Sequence, residues 1–395
     1  MTTTPHAESR LLYIDWLRGL AVLCMFEAHV YLAWLKPAEL RTTAFHWANV
    51  AAGYAAPLFL FLAGIGMALA LHGGLARGTS LAAARRTAIK RGFQILIAAF
   101  VFRVQEHVLG GGPVSNLFKV DILNCIGVSM MLAAAIGWPT DEEKPAYRAL
   151  AAALIVTLLS PLVGKLPYSP RFWPLLAYVA DGRDWYFPLF PWAAYTFFGL
   201  FAGTVWSRAT RAGRMPRAML VTVAIAVAVI VLSWLVLGRP APRYLFFGGK
   251  WRSLPTYVLT HVAWIGILAA VAFSLQRFGT SRSFGPVRQL GRTSLMMYWI
   301  HIDIVYGHLA GPDLLNLAGQ LGFGQATVGL ALLTCAMLPL SWARTRYFGA
   351  FRAAVIFERL WGELVRYARD SYRKSVGPRP SGSGSAAAAG GERGE

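Results

Sequence analysis

Apolar runs of about 20 residues recur along most of this sequence, each long enough to cross a ~30 Å hydrocarbon core as a helix. Lipid offers no water to bond backbone groups, so each N–H and C=O must be satisfied within the chain. A helix does this inside one segment. A barrel strand would alternate apolar and polar residues, and that alternation is absent. The fold class expected is all-α, a polytopic transmembrane helix bundle. Of the 395 residues only 14% are charged, against ~25% in a soluble domain. So few charges cannot cover a surface that faces water.

Ten spans are predicted, near 12–34, 48–72, 88–109, 121–138, 147–164, 187–206, 218–238, 255–275, 292–310 and 324–342. The first is expected to be retained rather than cleaved as a signal, because Asp15 and Arg18 sit inside it and no small-residue cleavage site follows. Beyond residue 345, a charged amphipathic helix is expected within 346–376, with Phe351, Val355, Leu360 and Leu364 on one face and Arg352, Arg359, Arg366 and Arg369 on the other. Residues 377–395, rich in Gly, Ser, Pro and Ala, are expected to be a disordered tail.

The net charge of +20 does not indicate nucleic acid, because the arginines sit in short loops between apolar runs. That placement follows the positive-inside rule. The loops after spans 2, 6 and 8 and the segment after span 10 carry Arg77, Arg85, Arg86, Lys90 and Arg91, then Arg208, Arg211, Arg214 and Arg217, then Arg277, Arg282 and Arg288, then Arg344 and Arg346. Both termini are therefore expected on the cytoplasmic side. The loop after span 7, with Arg239, Arg243, Lys250 and Arg252, departs from the rule and is itself a functional candidate. Cys24, Cys125 and Cys335 all lie in apolar runs and read as small buried hydrophobes, without metal or disulfide spacing.

Ionisable groups inside a membrane are expensive, which makes each a candidate for function. Near a helix end the ordinary explanation is a snorkelling side chain. In span 1, Asp15 and Arg18 are i and i+3, neighbours on one face that suit an ion pair. Arg18 and His29 are eleven residues apart, which places them on the same stripe about 16 Å apart along the axis. Under the orientation above, His29, His46, Glu106, His107, Asp121, His261, His301 and Asp303 all fall toward the outer side. In span 9, Ser294, Tyr298 and His301 form one helical stripe, which also suits plain polar packing between helices. Gly291 and Arg292 at its inner end suit phosphate contact by a helix N-terminus. Arg85, Arg86, Lys90 and Arg91 satisfy the positive-inside rule by themselves, and also suit bidentate contacts to a phosphorylated cytoplasmic donor.

At these residues the sequence resembles the heparan-alpha-glucosaminide N-acetyltransferase-like bacterial membrane proteins, within the broader membrane acyltransferase superfamily. The resemblance runs through Arg10…Asp15-Trp16-Leu17-Arg18-Gly19…His29, Pro57-Leu58-Phe59-Leu60-Phe61-Leu62-Ala63-Gly64, Asp121-Ile122-Leu123-Asn124-Cys125-Ile126-Gly127, Phe190-Pro191-Trp192 with Gly199, and Gly291-Arg292-Thr293-Ser294-Leu295…Tyr298…His301. It implies that residues 1–345 form a membrane acyltransferase-like domain. Such a domain takes acetyl groups from cytoplasmic acetyl-CoA and passes them to an amine or hydroxyl of a sugar-type acceptor, often across the membrane. His29 occupies the place of the superfamily's catalytic histidine, and His46 the region before span 2 where heparan-type enzymes carry theirs.

The expected catalytic residues are thus His29, His46, Asp121 and His301. Arg18, Arg85, Arg86, Arg91 and Arg292 are expected on acetyl-CoA, and Glu27, Glu106 and Tyr298 on the acceptor. Acyl transfer needs a base for the acceptor's proton or a nucleophile for the acyl group, and imidazole serves as either. Glu27, Glu106 or Asp121 would orient the imidazole. Tyr298, Ser294 or Arg18 would stabilise an oxyanion. No metal is expected, and the partners are membrane lipids, acetyl-CoA and a carbohydrate or other small acceptor, with a homodimer admitted. The alternative is a proton-coupled transporter or permease using the same buried groups; the absence of an internal repeat speaks against it. The location expected is the bacterial inner membrane.

Overall fold

Residues 12–110, 114–142, 144–166, 173–179, 187–237, 254–278, 285–307 and 317–347 are described by the computed structural model. The apolar runs fold as helices: α1 Leu12–Trp34, α2 Thr43–Ala52, α3 Ala55–Leu75, α4 Leu81–Gly110, α5 Ile122–Ile136, α6 Tyr147–Val163, α7 Trp173–Val179, α8 Leu189–Arg211, α9 Met215–Leu237, α10 Pro255–Phe278, α11 Gly285–Arg292, α12 Ser294–Val305 and α13 Phe323–Tyr347. The described residues contain no strand, only an isolated bridge between Leu35 and Leu321. Seven helical segments are long and apolar enough to cross a membrane: Leu12–Trp34, Thr43–Leu75, Leu81–Gly110, Asn116–Ile136, Met215–Val236, Pro255–Arg277 and Phe323–Tyr347. The chain is therefore an integral membrane protein of the all-α class.

The chain divides into two units, Met1–Trp342 and Ala343–Glu395. Only 343–347 of the second are described. The amphipathic helix and tail expected there lie outside the described residues, apart from the two residues at 346–347. The basic segment at Arg239, Arg243, Lys250 and Arg252 also lies outside them, as do Arg10 and Arg282.

The three remaining expected spans hold α8, α6 and α12. α8 is mostly buried and carries Tyr195, Thr196 and Thr204 in its covered face, so it reads less apolar than a lipid-facing helix. α6 is a shorter apolar helix of 17 residues. The ninth expected span, 292–310, holds α12, and its first residue, Arg292, is the last of a separate short helix, α11. α11 ends at Arg292, Thr293 adopts φ −118° and ψ 22°, and α12 begins at Ser294. Gly291 and Arg292 thus close one short helix instead of opening a long one. The break is held by α13: Thr293 Oγ1 lies 2.6 Å from Ser341 Oγ, and Gln289 Nε2 donates to the Ser341 carbonyl at 2.8 Å. α12 alone spans only about 18 Å.

Glycines set the closest crossings. A Cβ on Gly64 of α3 would strike the Thr196 carbonyl of α8, and one on Gly199 of α8 would strike the Phe61 carbonyl of α3. Gly19 of α1 and Gly291 of α11 meet the Val287 and Asp15 carbonyls in the same reciprocal way. Gly92 of α4 and Gly127 of α5 each face the other's carbonyl, at 2.8 Å from the ideal Cβ position. Small residues let backbones approach where lipid supplies no hydrophobic drive between helices.

α9 and α13 are more peripheral, with only 17% and 22% of their most apolar windows buried. This corrects the expectation that all three cysteines are buried. Cys24 and Cys125 are, but Cys335 on α13 is exposed.

Candidate active site

α1, α4, α5 and α12 bring a polar cluster together inside an otherwise apolar bundle. His29 Nδ1 lies 3.0 Å from the Tyr306 hydroxyl. Its ring sits 5.1 Å, centroid to centroid, from that of His301. His301 is fully buried against Phe26, its Nδ1 donates to the Met297 carbonyl at 2.8 Å, and its Nε2 has no hydrogen-bond partner among the described residues. A histidine bonded in this way to the preceding helical turn has its Nδ1 as the protonated nitrogen, which leaves Nε2 as a lone pair. His29 is half-buried and Tyr306 is 46% exposed, so this pair forms the accessible edge of the cluster.

Behind it lies a charged layer. Arg103 of α4 pairs with Glu106 one turn on, and with Asp121 at 3.2 Å. Asp121 is also the N-cap of α5: its Oδ1 accepts from the Leu123 and Asn124 amides at 2.9 and 3.1 Å, and Asn124 Oδ1 accepts from the Asp121 amide. Tyr298 stands between the layers, beside Asp121 and with its ring 6.0 Å from that of His301. Gln105 ties α4 to α12, donating to Asp303 at 2.8 Å and accepting from Trp299 Nε1 at 2.7 Å.

Among the described residues, neither imidazole meets a carboxylate at its Nδ1. A phenol meets His29 and a backbone carbonyl meets His301. Glu106 and Asp121 are instead engaged by Arg103, since a cation within this largely apolar interior requires counter-charges. Glu27 lies two residues from His29, about 200° around α1, and so projects from the other side of the helix.

The remaining expected residues are placed as follows. His46 is half-buried on α2. His107 is half-buried at the end of α4. His261 stacks on Tyr54, packs tilted against Tyr257 and bonds to the Tyr257 carbonyl, in a separate aromatic group.

Near the other end of the bundle, Arg18 pairs with Asp15 at 3.6 Å, as their spacing predicts. Arg18, Arg77 and Arg91 line one cavity of about 460 Å³, walled by α3, α4 and α5 side chains such as Met67, Ala88 and Met130. Arg85, Arg86 and Arg292 are exposed and do not line it. Arg85 and Arg86 are six and five residues before Arg91, about 120° and 140° away around the same helix. Among the described residues no group of three or more His, Cys, Asp or Glu is arranged to hold a metal ion.

The sequence alone did not single out Arg103, Gln105 or Tyr306, and it gave Arg77 only a topological role. Arg103 carried a legible signal, as an arginine deep in an apolar run with a glutamate at i+3. Tyr306 carried none, being five residues beyond His301 and off its stripe.

Fold and site together define a polytopic membrane protein with a buried histidine and tyrosine centre, the equipment of a group-transfer enzyme. Residues 10–230, more than half of the chain, match the family described as heparan-alpha-glucosaminide N-acetyltransferase, catalytic. The chain belongs to this family of membrane acetyltransferases. The match covers His29, Arg103, Asp121 and the arginine cavity, while His301 and Tyr306 lie beyond it. No curated protein matches the chain.

Proposed function

We propose that this protein transfers an acetyl group from cytoplasmic acetyl-CoA to the amine or hydroxyl of a sugar-type acceptor, with His29 as the base. The single observation that carries this reading is the paired imidazoles of His29 and His301 on the His29–Tyr306 edge. With Nδ1–H of His29 donating to the Tyr306 oxygen, Nε2 keeps the lone pair needed to take a proton. As the acceptor nitrogen or oxygen attacks the thioester carbonyl, its proton passes to His29 Nε2. The carbon–sulfur bond then breaks, and the thiolate of coenzyme A leaves and recovers the proton. Tyr298 is a hydroxyl donor suited to the developing oxyanion.

The cavity lined by Arg18, Arg77 and Arg91 supports a donor site, since guanidinium groups bind phosphate bidentately. Arg18 lies about 16 Å along α1 from His29, a distance that the flexible arm of coenzyme A has to span for direct transfer. The cavity arginines belong on the cytoplasmic side of a bacterial inner membrane by the positive-inside rule, which also puts both termini there. The acceptor then meets His29 toward the outer side.

The test is labelled acetyl transfer by the purified protein in lipid nanodiscs, with glucosamine and envelope glycans as acceptors. Transfer or acetyl-CoA hydrolysis that disappears in His29→Asn supports the reading. A wild-type protein that binds acetyl-CoA but neither hydrolyses nor transfers it overturns the reading.

A further inference from the structure

A second cavity, of about 670 Å³, opens between α8, α9 and α10, away from both the histidine cluster and the Arg18 cavity. Its walls are apolar, with Phe201, Val205, Val221, Ile225, Leu259 and Val262 facing into it. At one end its lining changes to Arg208, Arg214 and Arg217. Among the described residues no carboxylate lies within ion-pair distance of these three. A fourth arginine beside them, Arg211, is held by His72 Nδ1 of α3 at 2.8 Å.

Shape and charge together select an occupant. Along α9 the lining runs from Arg217 to Val229, twelve residues or about 18 Å of helix. That is roughly half of a ~30 Å hydrocarbon core, the depth of one leaflet. The cavity is thus as deep as one acyl chain, apolar along its length and cationic at a single end. The walls are tied together rather than merely adjacent. Trp206 Nε1 of α8 donates to Thr222 Oγ1 of α9 at 3.3 Å, and the Thr222 methyl sits 3.1 Å from the ideal Cβ position of Gly266 on α10.

We infer that this cavity is a binding site for an anionic phospholipid of the arginine-side leaflet, with an acyl chain between α8, α9 and α10 and the phosphate at Arg208, Arg214 and Arg217. Apolar surface buried by the chain supplies affinity. The uncompensated guanidiniums supply selection for an anionic headgroup over a zwitterionic one. The inference stands apart from the acetyl-transfer reading, because it uses none of the same residues.

The experiment is thermal unfolding of the full chain in neutral detergent, with added dioleoyl phosphatidylglycerol or dioleoyl phosphatidylcholine. Phosphatidylglycerol is expected to raise Tm saturably, and phosphatidylcholine to leave it nearly unchanged. Two variants separate the parts of the site. Arg208→Gln with Arg214→Gln and Arg217→Gln removes the headgroup contacts, and Val221→Trp fills the cavity while keeping the charges. Both should lose the phosphatidylglycerol shift while keeping Tm in lipid-free detergent within a few degrees. If Val221→Trp unfolds early, Val221→Phe serves in its place. Equal shifts from both lipids would overturn the inference. So would a full shift in the cavity-filled variant, which would leave only surface attraction to a charged micelle. A long-chain acyl-CoA that displaces phosphatidylglycerol at a lower concentration would also overturn it, assigning the cavity to a thioester instead.

Discussion

The hydroxyl of Tyr306 holds His29 Nδ1 at 3.0 Å, tying the first helix to the end of α12 at the edge of the buried cluster. Removing that hydroxyl leaves the imidazole in place but releases its tautomer and its angle. Tyr306→Phe should lower acetyl-transfer turnover while leaving acetyl-CoA affinity intact. A hydrogen bond contributing about 0.5–1.5 kcal/mol corresponds to a fall of about 2- to 13-fold. Steady-state rates of wild type and variant at saturating acetyl-CoA decide it, and an unchanged turnover would exclude the contact from the mechanism.

His29 itself should matter far more. Loss of a general base typically costs about 10²–10⁴-fold. His29→Asn keeps a polar group in the helix without supplying the base, so its turnover should fall by that order, with acetyl-CoA binding preserved. His46→Ala should retain most of its activity, since the imidazole pair is made by α1 and α12. Reversal of the two outcomes in the same assay would move the base to α2.

The arginines divide by position on α4. Arg91→Gln removes a cavity-lining cation, and Arg85→Gln with Arg86→Gln removes exposed ones. If the cavity holds coenzyme A phosphates, a charge-assisted contact of about 1.5–3 kcal/mol makes the first change weaken binding by about 10- to 150-fold. The double change should alter it by less than that. Isothermal titration of each variant with acetyl-CoA measures the difference. Equal affinities would leave all three arginines with topology alone.

The glycine crossings predict a stability effect remote from the site. Gly64→Ala places a Cβ against the Thr196 carbonyl, which is backbone and cannot rotate away. Overpacking of this kind costs about 1–3 kcal/mol, read as a lower Tm in detergent. Gly324→Ala, where a Cβ meets open space, is the control and should leave Tm nearly unchanged.

Orientation is testable with single cysteines at Thr42 and Ser375. Cys335 sits at the middle of the membrane-crossing α13, where a water-borne reagent does not reach it, and the parent protein serves as the unlabelled control. An impermeant thiol reagent on intact cells should label the Thr42→Cys position and spare Ser375→Cys. The opposite pattern would place the His29 edge on the cytoplasmic side.

The helices were largely legible in the sequence because hydrocarbon imposes one requirement, closed backbone hydrogen bonding over a fixed length, that apolar runs report directly. The break at Thr293 was not, since it rests on hydrogen bonds from Gln289 and Thr293 to Ser341, about fifty residues further along the chain. Within the site, His29, Glu106, Asp121, Tyr298 and His301 announced themselves as polar groups in apolar runs. Their partners did not. Which carboxylate meets Arg103 depends on the rotation of α4 against α5, and helical periodicity fixes faces within one helix only. The motif glycines were read as part of a resemblance, and their physical role emerged only as paired backbone contacts.

Those paired contacts also decide where the bundle can give. Two backbones in direct touch have no intervening rotamers to exchange, so α3 with α8, α1 with α11 and α4 with α5 each behave as stiff plates. Sliding or opening is left to the joints between plates, where side chains interdigitate and can repack. Both the arginine cavity and the His29–His301 pair sit on such joints, the first among α1, α3 and α4, the second between α1 and α12. On the proposed acetyl-transfer reading, a motion at these joints that admits the donor would also change the spacing at the His29–His301 pair, without a separate lid.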